Sequence, residues 1–365
     1  MKWAAADART GTLLGYLPDL GIEQDLKQTM SAFESASLQL PIAGAPASWL
    51  RMTKPWATAL VALDDSTPGV RPVPFWGGIV QQRPRTTAAT LSVPVATGEC
   101  YLARRFIRDH LQYPAADWGV CQVGADLVGR YVVDGAGGLP GLPLRVVLLD
   151  DGAGKDLEWT DQDDKNVYTA FGECGFEFTV SWEWGTGPGG VQLLTPVLTI
   201  GSRIGQPVTP GLAPRARFSY PGNVADASLL EDWTDGKGAN DVMLSSTGIG
   251  EVRPQSDHQL AANFDGRPTL EHREAAGTSS DQRAELNAEA AADLALLQDG
   301  SVAVTLTASW ATKSAPKYGS RWAIGDDVGY RLTGPQYPDE PAGVVRAIGV
   351  QFNTKTFSPI LAGSS

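Results

Sequence analysis

The hydrophobic pattern of the first hundred residues is that of β-strands. Apolar residues alternate with small or polar ones, or form short apolar runs such as the one that ends at Asp64. A period of two is typical of half-buried strands, and a short apolar run fits a buried strand. The pair Gly77-Gly78 inside one run indicates a bulge or a close backbone approach. The pattern predicts a β-rich domain 1–97 with strands at Ser35–Leu40, Thr58–Leu63, Val73–Gln82 and Ala89–Val95 and a short helix near Ala47–Met52.

The pattern changes near Gly98, where apolar residues begin to recur at helical spacing. The segment Asp163–Cys174 is the clearest case, because its apolar residues fall on one helical face and Gly175 is placed to end the helix. That face consists of Val167, Ala170, Phe171 and Cys174. Three carboxylates at the start of the helix, Asp161, Asp163 and Asp164, would favour its dipole. We predict an α/β domain 98–185 with helices at Glu99–His110, Ala116–Arg130 and Asp163–Cys174, a buried strand at Leu144–Leu149 and a strand at Glu177–Trp184.

The remainder of the chain is turn-rich and strand-like again, with one helical interruption. Ser280–Leu297 carries leucines and alanines on one face and predicts a helix. The strands are predicted at Leu193–Ile200, Arg215–Tyr220, Asp241–Ser246, Val302–Trp310, Val328–Leu332 and Gly343–Phe352. The third domain, 186–365, is therefore β-rich with an inserted helical segment near 278–297. The expected fold class is α+β, mostly β.

A weak internal repeat links the first and the last of these domains. In each, a strand is followed by a Gly-led strand and then by a Thr-x-Ser strand, at comparable spacing. The first set is Leu60–Leu63, Gly78–Val80 and Thr90–Ser92, and the second is Val328–Leu332, Gly343–Val345 and Thr356–Ser358. Chance similarity between hairpins explains this pattern as well as duplication does. If the repeat is real, two related β domains flank the α/β domain.

Charge is unevenly distributed along the 365 residues. Residues 1–150 carry 13 basic and 13 acidic side chains, whereas 151–365 carry 16 basic and 28 acidic ones, so the whole net charge of −12 lies in the second part. A surface of that sign repels phosphate, which argues against a conventional nucleic-acid binder. The 41 glycines and 25 prolines follow no G-x-y period and indicate many turns between short strands.

Targeting signals are not apparent in the sequence. No apolar run approaches the ~18–20 residues that a membrane-spanning helix requires. Residues 1–10 contain one lysine and no apolar core of a signal peptide. We therefore expect synthesis in a cytoplasm, with any outside location reached by another route.

The phosphate- and metal-binding motifs fail on inspection of their context. Gly185–Gly190 satisfies G-x-G-x-x-G, but a strand follows it where a dinucleotide site needs a helix, so a hairpin is the preferred interpretation. The acidic run that begins at Asp161 lacks the glycine and glutamate of an EF-hand loop. Asp326-Asp327 after Gly325 indicates a turn.

Catalytic constellations are equally weak. Glu177 and Glu183 lie near tryptophans on one strand, but six residues span roughly 20 Å, too far for an acid and a nucleophile to act together. We interpret both as part of a solvated strand face. The 11 tryptophans are scattered and fit several small cores, and the three cysteines, Cys100, Cys121 and Cys174, fit buried small hydrophobes. We assign no catalytic, cofactor-binding or metal-binding residue, and expect no enzymatic activity.

The order of several short segments nevertheless matches a known pattern. An opening W-x-x-x-D-x-R-T-G-x-L-L-G at Trp3–Gly15 leads to a succession of further segments. These are Trp76–Val80, Tyr101–Arg105, Asp163–Trp182, Phe218–Asp226, Asn240–Val242 and Trp322–Leu332. The succession resembles the minor tail proteins of siphophages that infect actinobacteria, specifically the tail-tip baseplate hub or tail-associated family related to myophage hubs.

The resemblance implies a structural role in the virion, at the phage tail tip. It implies two β-barrel-like tube domains with an intervening α/β domain, and a homotrimer whose six tube domains continue the tail tube. The implied partners are the distal tail protein, other tail-tip proteins and the tape measure protein, with DNA only in passage once the closed tube opens and with no cofactor. The alternative function is a tail-associated cell-wall hydrolase or carbohydrate-binding module.

Overall fold

A computed structural model gives the fold and describes residues 1–65, 69–84, 87–133, 138–234, 236–246, 253–276 and 282–362. Strands make up 42% of the chain and helices 16%, so the prediction of a mostly β, α+β fold is confirmed. The strands are β1 (Lys2–Asp7), β2 (Leu13–Tyr16), β3 (Gly21–Ile22), β4 (Leu26–Thr29), β5 (Ser35–Pro41), β6 (Thr58–Asp64), β7 (Val73–Val80), β8 (Thr90–Thr97), β9 (Leu111–Tyr113), β10 (Arg145–Leu148), β11 (Leu157–Trp159), β12 (Glu177–Thr186), β13 (Gln192–Gly201), β14 (Arg217–Tyr220), β15 (Asp226–Asp232), β16 (Asp241–Ser245), β17 (Gln259–Leu260), β18 (Glu271–Ala275), β19 (Ser301–Ser309), β20 (Asp327–Leu332), β21 (Ala342–Phe352) and β22 (Thr356–Leu361).

The helices are fewer and mostly short. The α-helices are α1 (Trp49–Met52), α2 (Val120–Tyr131), α3 (Val167–Cys174) and α4 (Arg283–Leu297), and the 3₁₀ turns are Gly98–Arg104, Asp161–Asp163 and Pro188–Gly190. Within the described ranges, no helix is both long and apolar enough to cross a membrane.

The chain divides into two compact units. The first comprises Met1–Asp226 with Leu306–Ile360, and the second comprises Ala227–Thr305 with the last residues of the chain. The second unit is thus inserted in the sequence of the first. The division 1–97, 98–185 and 186–365 stays a prediction.

The first sheet of the first unit has the order β2-β1-β6-β7-β8-β5-β3. Strands β5, β6, β7 and β8 lie where the hydrophobic pattern predicted them, whereas β1, β2 and β3 were not predicted. Phe75 has no partner at the point where the β6–β7 register shifts, so the predicted bulge occurs just before the glycine pair. Gly77 itself provides a close approach, since a Cβ there would lie 2.3 Å from Nε1 of Trp182.

The α/β part of the first unit packs α2 and α3 against the three-stranded sheet β10-β13-β12, with the pair β11-β9 beside it. The predicted helix Glu99–His110 is wrong beyond Arg104, because the following residues pair with the segment before α3. The N–H of Val167 donates to the carbonyl of Arg105 and that of Ile107 to the carbonyl of Lys165. The buried strand predicted at Leu144–Leu149 is wrong in its burial, because β10 lies at the edge of its sheet and is partly exposed.

The second sheet of the first unit has the order β14-β20-β21-β22-β19, with β4 paired to the other part of β21. If these five strands are numbered one to five along the chain, their order across the sheet is 1-3-4-5-2. The strands β1-β6-β7-β8-β5 of the first sheet have the same order, 1-3-4-5-2. The repeated segments occupy β6, β7 and β8 in one sheet and β20, β21 and β22 in the other. The two arrangements differ in the direction of their first strand, because β1 is antiparallel to β6 whereas β14 is parallel to β20.

The second unit packs α4 against the sheet β17-β16-β18. Leu286 and Ala290 of α4 are fully buried, and Leu294 and Leu297 are partly buried on the same face. The helical periodicity of Ser280–Leu297 is therefore confirmed for the described residues from Arg283 onward.

Candidate functional site

A densely hydrogen-bonded polar group of the first unit surrounds Arg346 on β21. Its Nη1 donates to Oε1 of Glu177 at 2.6 Å and its Nη2 donates to Oε2 of the same carboxylate. Nη2 also donates to the carbonyl of Ile204 at 2.7 Å, and Nε donates to that of Gly325 at 3.1 Å. One planar guanidinium thus joins β21, β12 and two loops.

The sequence suggested that Glu177 belongs to a solvated strand face, but the structure places it in this polar group. Its side chain is 21% exposed, and besides Arg346 it accepts the N–H of Ile204 at 2.7 Å. Burial acts to raise the pKa of Glu177, but the hydrogen bonds from Arg346 and Ile204 outweigh it and the pKa is lowered. The carboxylate is held in its charged form by a fixed partner.

Glu183 lies six residues along the same strand and does occupy a solvated position. It pairs with Arg145 at 2.6 Å, and both side chains are more than half exposed. The two glutamates that we considered as a catalytic pair thus have separate cationic partners.

Asp326 and Asp327 do more than form a turn. Asp326 accepts the N–H groups of Gln206 and Ala323, at 2.7 and 2.9 Å, and Asp327 accepts that of Val208 at 2.9 Å and pairs with Arg203. The two carboxylates fix the segment that follows β13 against the start of β20, next to the Arg346 group.

The acidic run before α3 stabilises a turn and does not start the helix. Asp163 accepts the N–H of Thr160 at 2.6 Å within the 3₁₀ turn, whereas Asn166 caps α3 by accepting the N–H of Thr169 at 2.8 Å. Gly175 ends the helix with a positive φ, as predicted.

The Gly185–Gly190 segment connects β12 and β13 as a hairpin. The two strands are antiparallel, and their pairing extends from Glu177 opposite Gly201 to Thr186 opposite Gln192. The N–H of Gly187 donates to the carbonyl of Val191 at 2.8 Å. The strand-to-helix context of a dinucleotide site does not form here.

Cys121 and Cys174 belong to the core of the α/β part, and Cys100 belongs to a smaller hydrophobic cluster. All three cysteines are free and buried, and burial raises the pKa of each thiol. His110, His258 and His272 are bonded to Glu158, Asp241 and Glu274 respectively. In the part of the chain that the structure describes, no three His, Cys, Asp or Glu side chains form a group that could hold a metal ion.

Two important polar residues were missed by the sequence reasoning. Gln28 and Glu99 are buried and bond to the backbone of Val180 on β12, at 2.7 Å each. Glu99 was placed at the start of the predicted helix Glu99–His110, and Gln28 in no element. No local periodicity marks either residue, because their partner lies 81 and 152 residues away.

The comparisons with known proteins bear on the fold. No protein-family model matches the chain, and no curated protein matches it. Solved structures do. A tail protein from Neisseria meningitidis MC58 is 12% identical, with a TM-score of 0.51, over 99% of this chain and 96% of that one. Prophage tail protein gp18 from Listeria monocytogenes EGD-e is 10% identical, with a TM-score of 0.52, over 99% and 94%.

A third solved structure extends the same result. The 43 kDa tail protein of prophage MuSo2 from Shewanella oneidensis is 10% identical, with a TM-score of 0.54, over 99% of this chain and 97% of that chain. Identities this low establish the fold alone, and the similarity extends over nearly the full length of each protein. The chain has the fold of phage tail proteins.

Proposed function

We propose that this chain is a structural, non-enzymatic component of a phage tail tip: the baseplate hub that continues the tail tube, closes it before infection and then passes DNA. The observation that carries the proposal is the pair of sheets with the same strand order, in a chain with the fold of tail proteins. The repeated segments of the sequence occupy corresponding strands of these sheets. Two similar sheets per chain are what a ring of three chains needs to present six equivalent elements to a tail tube.

The charge distribution supports the passage of DNA without binding. Residues 227–305 carry 14 acidic and 5 basic side chains, so most of the net charge of −12 lies in the second unit. Acidic walls raise the energy of contact with phosphate, so a conduit lined by them would not retain DNA. We propose that acidic side chains of this unit line the conduit in the assembled hub. An assembled structure with a basic lumen and an acidic exterior would contradict this part of the proposal.

The test of the proposal is the assembly state and the place of the chain in the particle. We expect the purified full-length chain to form a homotrimer by light scattering and a ring by electron microscopy. Antibodies to the chain should label virions at the tail tip, where the distal tail protein, other tail-tip proteins and the tape measure protein would be its neighbours. A stable monomer at high concentration, together with label elsewhere on the particle, would refute the hub.

The competing function, a cell-wall hydrolase or carbohydrate-binding module, is tested by zymography on host cell walls. We expect no clearing by the purified chain. Clearing that is lost in Glu177→Gln and Glu183→Gln would favour the hydrolase instead.

A further inference from the structure

Glu99, at the start of the 3₁₀ turn after β8, is a fully buried carboxyl group. Its Oε1 accepts the N–H of Val180 at 2.7 Å. Among the described residues, its Oε2 has no hydrogen-bond partner of acceptable geometry. An ionised carboxylate in such a place would leave charge both desolvated and uncompensated, which is costly. Complete burial without a cationic partner therefore favours the neutral acid.

Glu99 belongs to a set of side chains that closes the outer edge of β12. Gln28 Nε2 donates to the carbonyl of Val180 at 2.7 Å, opposite the bond that Glu99 accepts. The main chain of Phe178 bonds to Ser31, whose N–H donates to the Phe178 carbonyl at 2.8 Å and whose Oγ accepts the Phe178 N–H at 3.2 Å. We call Glu99, Gln28 and Ser31 the clasp. Together they satisfy the backbone N–H and carbonyl groups of Phe178 and Val180 at this edge without a neighbouring strand.

The titratable groups that face Glu99 provide no compensating cation. The carboxylate of Glu34 acts on it from the loop between β4 and β5, and the phenols of Tyr168 on α3 and Tyr318 before β20 interact with it. The neighbouring thiol is that of Cys100 on its own turn. Tyr318 also donates to Oε1 of Gln28 at 3.4 Å, so the clasp is continuous with this group.

Burial raises the pKa of Glu99 to about 7, although the N–H groups of Glu99 and Val180 and the Thr97 hydroxyl act to lower it. Glu34 adds to the increase. This direction agrees with the neutral acid that complete burial without a cation favours.

We propose that Glu99 is a proton-dependent lock on the β12 edge: the neutral acid keeps the clasp closed, and its ionisation loosens β12 from residues 28–31. The closed clasp binds the proton more tightly than an open one, in which Glu99 is hydrated and titrates near 4.5. The contribution of the clasp to stability is therefore complete below pH 4.5, declines as the pH rises toward 7 and is lost above it. Ionisation would expose a strand edge that is otherwise satisfied.

The test is amide hydrogen exchange at Val180 in the intact chain between pH 5 and pH 8, corrected for the intrinsic change of exchange rate with pH. We expect the corrected protection to fall by on the order of tenfold or more across this range. Glu99→Gln should abolish this dependence. Glu183→Gln, an exposed change on the same strand, should retain the wild-type profile. Constant protection in the wild type, or an unchanged dependence in Glu99→Gln, would refute the lock.

A second measurement covers the case in which Glu99→Gln does not fold. Infrared difference spectra of the wild-type chain should show a protonated, buried carboxyl band at pH 5 that disappears with a midpoint near pH 7. The complete disappearance of the band below pH 5.5 would contradict the proposal. Both measurements are made on the isolated chain, so they are independent of whether it assembles into a hub.

Discussion

Arg346 and Glu177 form a two-point ion pair across 169 residues of sequence, with Nη1 and Oε1 2.6 Å apart. Arg346 lies on a strand of the second sheet and Glu177 begins the central hairpin of the α/β part. The same guanidinium also satisfies the carbonyls of Ile204 and Gly325. Because both side chains are about 80% buried, this pair is a structural connection between distant segments and differs from a surface ion pair.

Arg346→Met should destabilise the first unit by about 2–4 kcal/mol, because it leaves the Glu177 carboxylate and two carbonyls without their donor. The measurement is denaturant unfolding, followed by the fluorescence of the tryptophans in that unit. Arg145→Met is the matched control, since it removes the exposed partner of Glu183 on the same strand and should cost less than about 1 kcal/mol. Equal costs for the two variants would show that burial of the Arg346 pair has no energetic consequence.

The same pair predicts a dependence on acid pH. Hydrogen bonds from Arg346 and Ile204 hold the pKa of Glu177 below its unfolded value of 4.5, despite the opposing effect of burial. Its contribution to stability is therefore present above pH 4.5 and lost as the pH falls through the lowered value. We expect the stability difference between wild type and Glu177→Gln to be larger at pH 6 than at pH 3. A difference that does not change with pH would mean that Glu177 contributes only through its shape.

The local elements of this fold were predictable because their patterns are local. The alternation at Ser35–Leu40 and the one-sided apolar face of Val167–Cys174 each lie within a single element, and both are confirmed. Periodicity failed at Arg105–Ile107, where helical spacing is present but pairing with the segment before α3 makes the chain extended. Tertiary hydrogen bonds overrode the local preference there.

The polar connections were not predictable, because the partners of each side chain lie far away in the sequence. Glu99 and Glu177 resemble ordinary solvent-facing acids in the sequence, and only the folded chain brings Val180 to one and Arg346 to the other. The repeat was more informative, since its three segments occupy corresponding strands of two sheets. Its interpretation required strand order, which the sequence does not contain.

Gly77→Ala should destabilise the first unit by about 1–3 kcal/mol, because the new Cβ would lie 2.3 Å from Nε1 of Trp182, whose ring is buried. The change should also alter the fluorescence of Trp182, which must move. Gly172→Ala is the control, because that glycine lies within α3 with no atom within 4 Å of an added Cβ. Alanine there should stabilise the chain by about 0.5–1 kcal/mol. Similar effects of both changes would contradict the close approach.

Asn166→Ala should cost about 1 kcal/mol of unfolding free energy, because Asn166 caps α3 through the N–H of Thr169 at 2.8 Å. The control is Asp161→Ala, which alters the acidic run without removing the cap and should change stability by less than about 0.5 kcal/mol. Thermal unfolding of the two variants at pH 7 separates the possibilities. If the acidic run were the helix start, as its charge suggested, Asp161→Ala would carry the larger cost. The structure predicts the larger cost for Asn166→Ala, because three residues separate the 3₁₀ turn from α3 and the first of them, Asp164, has a left-handed conformation.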